Sequence, residues 1–299
     1  MLIVPQWQGS GTPAPHRLVA GAHRLGALLP AGRRTVVPID AQPDPNPDPD
    51  PDPNPAPTPD PNPDPRRTHT GVLRLDALAR SLAATEHALA AWGDDTLFTV
   101  GGDCGVELAP IAHAAARHGE HLAVIWFDAH PDLNTPESSP SGGFHGMVLR
   151  TLLGDGPDEL LPAPERRPSA DRLVLAGTRA VDPAEERFIQ ARGIRRVSVD
   201  ALRTPNALVA AVAATGATHV YIHVDLDVLD PARFGALSFP EPGGLHPDRL
   251  RAALRALTEA FALAGLGITE HAPGPAAALA DPTRDDDTLR EIFADVCPG

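Results

Sequence analysis

The chain has 299 residues, with 39 Asp and Glu against 25 Lys and Arg, giving a formal net charge of −14. That acidity excludes the basic footprint required by phosphate backbones, and no apolar run approaches the roughly 18–20 residues that span a bilayer. Neither nucleic acid nor membrane is therefore an expected partner. The opening MLIVPQWQGSG lacks the basic and long apolar regions of a secretory leader, and two cysteines cannot build a disulfide framework. A cytoplasmic location is expected.

In chain order, Leu2–Pro5 reads as a short strand, and Arg17–Leu29 carries apolar residues at helical spacing. Thr35–Ile39 reads as a second strand. From Pro43 to Pro65 every second residue is proline, and the tract holds 12 of the chain's 35 prolines and six aspartates without a basic residue. The proline excess is thus local. Alternating proline removes backbone donors and favours extended polyproline II. Residues 41–66 are accordingly read as a solvated low-complexity insertion in one domain spanning 1–299.

Beyond the tract, Val72–Trp92 repeats apolar residues at helical spacing, and Leu97–Val100 is a strand ending in Gly101-Gly102. Ala109–Arg117 is helical. Leu122–Phe127 is a continuous apolar run of the kind buried on both faces of a sheet. Leu173–Ala176, His219–Val224 and Leu266–Thr269 repeat that type, with helices such as Asp248–Leu263 between them. The alternation predicts a three-layer α/β/α fold with a mostly parallel central sheet.

Metal-type ligands gather at the ends of three of these strands: Gly101-Gly102-Asp103-Cys104, Asp128-Ala129-His130-Pro131-Asp132, and Asp225-Leu226-Asp227-Val228-Leu229-Asp230-Pro231. In a parallel sheet, ligands bind beyond the carboxyl ends of the strands, so all three can meet at one edge. Residues two apart on an extended segment point the same way, which lets Asp128, His130 and Asp132 converge, and likewise Asp225 and Asp227. Crowded carboxylates repel unless cations neutralise them, and carboxylate with imidazole suits manganese-like divalent ions.

These motifs resemble those of the ureohydrolase (arginase/agmatinase) superfamily over nearly the whole chain apart from the proline tract. The resemblance implies an arginase-like fold and two Mn²⁺ per subunit. By position, Asp128, Asp132 and Asp225 would bind one manganese, with Cys104 where the family has histidine. Asp128, His130, Asp225 and Asp227 would bind the other, and Asp230 would support them from behind. Asp132 would accept a proton from the activated water. His145 would exchange protons with solvent, at a pKa near neutrality.

The segment Asn134 to Gly146 resembles the arginase loop, which implies that Asn134 and Ser141 bind the α-carboxylate of a guanidino amino acid. Asp182 matches the aspartate that receives the α-amino group, Glu185 a nearby acidic position, and Glu270 the glutamate that receives the guanidinium. Ala180 stands where the family has another aspartate. A homo-oligomer, trimer or hexamer, is implied as well. The main departure is Gly-Gly-Asp-Cys-Gly in place of Gly-Gly-Asp-His-Ser. Cysteine at that position resembles the Nω-hydroxy-L-arginine amidinohydrolase of D-cycloserine biosynthesis, which implies cleavage of hydroxyarginine to ornithine and hydroxyurea. Ordinary arginase activity and a catalytically silent metal-binding member of the fold are the alternatives.

Overall fold

The computed structural model describes residues 1–39, 71–93, 95–274 and 283–297. The proline tract and the boundaries of the expected insertion lie outside the described residues. Among the described residues, eight strands form one sheet in which every pair is parallel: β1 (Leu2–Val4), β2 (Thr35–Val36), β3 (Leu97–Gly101), β4 (Leu122–Phe127), β5 (Leu173–Ala176), β6 (Arg195–Val197), β7 (His219–Asp225) and β8 (Ala262–Thr269). Their order is β2-β1-β3-β8-β7-β4-β5-β6. The chain leaves β3 for β4 and later inserts β7 and β8 between them. That reversal opens a crevice at the carboxyl ends of these four strands, the usual ligand site of an open parallel sheet.

Alternation along the strands sends side chains into two separate cores, one on each face. On one face Ile125, Phe127, Ile222 and Val224 pack against α1 (Pro15–Leu28), α6 (Asn206–Ala213), α7 (Pro247–Ala260) and α8 (Arg284–Phe293). On the other, Val124, Trp126, Leu175 and Tyr221 pack against α2 (Leu75–Ala90), α3 (Leu108–His118), α4 (Val148–Leu152) and α5 (Pro183–Arg192). β4 is buried at all six positions, which accounts for its unbroken apolar sequence. The expected three-layer α/β/α arrangement is observed.

Several boundaries differ from the sequence reading: β2 ends at Val36 rather than Ile39, α2 runs over Leu75–Ala90 rather than Val72–Trp92, and the junction of α7 with β8 moves. The helix expected to run to Leu263 stops at Ala260, and β8 begins at Ala262. Pairing decides it: Ala262 and Leu263 lie in register with His219 and Val220 of β7. Backbone hydrogen bonds along a central strand outweigh weak local helix propensity. β6, short and bearing two arginines, gave no apolar signal.

Candidate metal centre

The motifs that follow β3, β4, β7 and β8 converge. Asp225 pairs in register with Thr269, which places Glu270 beside it, and Phe127 pairs with Val224, which brings Asp128 to the same edge. Cys104, Asp128, Asp132, Asp225, Asp227 and Glu270 are all at most 4% exposed. Ligand-capable atoms cluster closely in three groups: Cys104, Asp128 and His223; Cys104, Asp225 and Glu270; Asp128, His130 and Asp227.

Local hydrogen bonds hold these side chains in place. Trp126 Nε1 donates to Asp128 Oδ2 at 2.9 Å, and the backbone amide of His130 donates to Asp128 Oδ1 at 2.6 Å. Asp227 accepts from the amide of Ala129 at 2.9 Å and contacts His130 Nδ1 at 2.9 Å. Cys104 Sγ lies 3.2 Å from both Asp225 Oδ2 and Thr269 Oγ1. Just before it, Asp103 accepts from the Gln6 side chain and from the amides of Gly9 and Gly105, so the loop after β3 is tied to the one after β1. Asp132 and Glu270 adopt left-handed backbone, with φ of 51° and 60°. Such backbone is uncommon outside glycine and clusters where the fold must aim a functional side chain.

The electrostatics suit cations. Burial, reinforced by neighbouring carboxylates, pushes Asp132, Asp225 and Glu270 well above the usual carboxylate range, and burial together with Asp227 lifts Asp128 to about 7. Oδ2 of Asp132 and both carboxylate oxygens of Glu270 are buried with no partner within hydrogen-bond distance. An oxygen-rich set with imidazole fits divalent manganese-like ions, and such a cation would supply the partner these buried oxygens lack.

The remaining predicted residues form the rim. His145 Nδ1 lies 3.8 Å from Glu270 Oε1, and its ring is 5.0 Å from that of Phe239. Its expected near-neutral pKa is corrected: although 20% of the side chain stays open, burial and the charge of His130 lower it to about 4. Asn134 donates to Asp182 Oδ2 at 2.8 Å and accepts from Ser138, which ties the loop to α5. Asp182 and Glu185 form a capping box on α5, and Glu185 also accepts from the Leu133 amide at 2.9 Å, so its oxygens serve backbone donors. Ser141 is exposed, and its hydroxyl accepts from the amide of Gly143. Asp230 accepts from the amide of Ala232 in a local turn. His223, which the sequence reading took as part of a buried strand, also stands in the cluster. Its position two residues before Asp225 was the available signal.

An all-parallel sheet with a buried, carboxylate-rich cluster at its switch point defines the class: an α/β protein whose sheet edge gathers candidate metal ligands. Residues 64–280 match the profile of the arginase family, and the chain belongs to that family. Among curated proteins, it is 32% identical to an arginase of Staphylococcus aureus over 180 residues, covering 58% of this chain and 59% of that protein. It is 36% identical to an arginase of Bacillus caldovelox over 170 residues, covering 54% and 56%. The chain thus spans less than two thirds of the length of these relatives. By structure it resembles Entamoeba histolytica arginase, solved in complex with L-ornithine, with a TM-score of 0.78 at 20% identity, covering 100% of this chain and 97% of that one. Proclavaminate amidino hydrolase from Streptomyces clavuligerus gives a TM-score of 0.58 at 23% identity, covering 73% and 68%. At these identities the structural likeness shows a shared fold.

Proposed function

We propose that the chain is a dinuclear manganese amidinohydrolase that hydrolyses Nω-hydroxy-L-arginine to L-ornithine and hydroxyurea. Cys104, inside the carboxylate cluster and 3.2 Å from Asp225, is the observation that carries the choice of substrate. A thiol in place of imidazole leaves a softer, weaker donor for manganese. A hydroxyguanidine is less basic than a guanidinium, so its neutral, more easily attacked form is nearer to hand. The metal pair supplies Lewis acidity and a water of lowered pKa.

The chain's own residues do the rest. Asp132, left-handed and buried, accepts a proton from the attacking water. Glu270 holds the guanidino end, and Asn134, Ser141 and Asp182 hold the amino-acid end. Water adds at the guanidino carbon, the bond from that carbon to the side-chain nitrogen breaks, and this nitrogen leaves protonated as the amine of ornithine. His145 stands at the rim where protons would exchange with solvent, and its pKa near 4 makes it a neutral, weakly basic imidazole at pH 7. In keeping with family resemblance, the working form is a trimer or hexamer.

A second reading, ordinary arginase, rests on the arginase relatives themselves. Manganese-loaded protein assayed side by side with hydroxyarginine, arginine and agmatine decides between them, with Cys104→His run in parallel. Ornithine released faster from hydroxyarginine, with arginine turnover gained in Cys104→His, is the expected result. Preference of the wild type for arginine would select the second reading, and no ornithine from either would overturn both.

A further inference from the structure

We propose that His223 is a metal ligand of this chain, supplying from β7 the imidazole that the loop after β3 lacks, with Glu107 as its positioning residue. The proposal rests on the dinuclear reading above and goes beyond it. His223 lies two residues before Asp225, so its side chain leaves the strand on the same face as that carboxylate. It is fully buried, and its Nε2 stands 3.7 Å from Cys104 Sγ. Cys104, Asp128 and His223 each present a ligand-capable atom within 4.8 Å of the other two. The ring is held in that pose. Trp126, its direct neighbour across the β4–β7 register, stacks on it with centroids 3.5 Å apart and planes 18° apart, while its indole donates to Asp128.

Behind the ring stands Glu107. His223 Nδ1 faces Glu107 Oε2 at 3.7 Å, both side chains are fully buried, and neither Glu107 oxygen has a partner within hydrogen-bond distance. Tyr221 and Thr99 border the same chamber, with the Tyr221 hydroxyl beside both Glu107 and Thr99. β8 makes room for the carboxylate at Gly267, where any Cβ would overlap it. A buried carboxylate is costly by itself. Its place becomes intelligible when it orients a neutral imidazole through Nδ1–H, leaving the Nε2 lone pair for a metal, the carboxylate–histidine–metal arrangement. Imidazole from His223 adds a nitrogen donor that manganese prefers beside the softer thiol of Cys104, which lies 3.2 Å from Asp225.

The test is metal stoichiometry and pulsed EPR of the full chain, with folding followed by circular dichroism. Wild type is expected to bind two manganese ions per chain and to show nitrogen modulation from two imidazoles, His130 and His223. Folded His223→Gln should retain one ion and the modulation of one imidazole. Glu107→Gln should weaken the same ion about 10- to 100-fold and leave the other unchanged. The exchange Cys104→His with His223→Ala returns an imidazole from the other strand and should regain the second ion. Two tightly bound ions in folded His223→Gln would overturn the proposal. Failure of the exchange to regain the ion would overturn it too, assigning the loss to packing. A wild type without metal would instead overturn the dinuclear reading on which it rests.

Discussion

Asp132 and Glu270 show at the residue scale what the site demands of the chain. Each combines burial, left-handed backbone and carboxylate oxygens without hydrogen-bond partners. Such features cost stability and persist only where surrounding structure enforces them. Neutralising one carboxylate relieves part of that cost and removes a cation's partner. Asp132→Asn is therefore expected to raise the melting temperature of the chelator-treated protein at pH 8 by on the order of 2 °C, about 1 kcal/mol for a chain of this size. It should also shrink the stabilisation gained on adding manganese, and thermal melts with and without metal check both. Most of these residues were legible in the sequence, because Asp128, Asp132, Asp225 and Asp227 follow apolar runs at spacings of two or four. His223 was hidden, since a histidine inside an apolar run reads as a strand residue until its neighbours across the sheet are known. The direction of the His145 shift was also hidden, because burial and the nearby His130 set it.

At the scale of the element, α5 links helix stability to the loop bearing Asn134. Asp182 caps the helix and holds the Asn134 amide, while Glu185 reaches back to the amide of Leu133. One capping box therefore fixes both the helix start and the rim of the site. Asp182→Ala should cost about 1 kcal/mol, within the range measured for lost N-caps. The same variant should raise KM for the guanidino amino acid more than it lowers kcat, which steady-state kinetics would show. The sequence reading gave Asp182 and Glu185 roles in substrate binding by resemblance. Their spacing of three, with Pro183 between them, was also a helix-start signal. The end of α7 was misplaced for a related reason: Ala262 and Leu263 suit a helix locally, and only pairing with β7 makes them strand.

For the whole molecule, the crowded carboxylates tie stability to pH and metal. Asp128 has an ordinary value of 3.8, raised to about 7 in the folded, metal-free chain. A raised acid pKa means that the folded state binds the proton more tightly than the unfolded one. The contribution of this group is therefore present below about pH 4 and is lost as pH rises towards 7. Metal competes with those protons, so manganese should bind more tightly as pH rises. The chelated protein is expected to lose melting temperature between pH 5 and pH 8, while the increment from added manganese grows over the same range. Calorimetric scans at matched ionic strength test this, and an increment that shrinks with pH would contradict it. No helix among the described residues is long and apolar enough to cross a membrane.

The sequence by itself determined the alternation of apolar strands and amphipathic helices, and with it a parallel sheet whose carboxyl ends carry the metal-type motifs. These are local properties, set by residue type and by periods of two and 3.6. Tertiary structure alone decided the strand order that puts β7 and β8 between β3 and β4. It also brought His223, Glu107 and the space left by Gly267 into one buried chamber. These three come from strands and loops far apart in the chain, and no local pattern encodes a distance closed only when the sheet assembles.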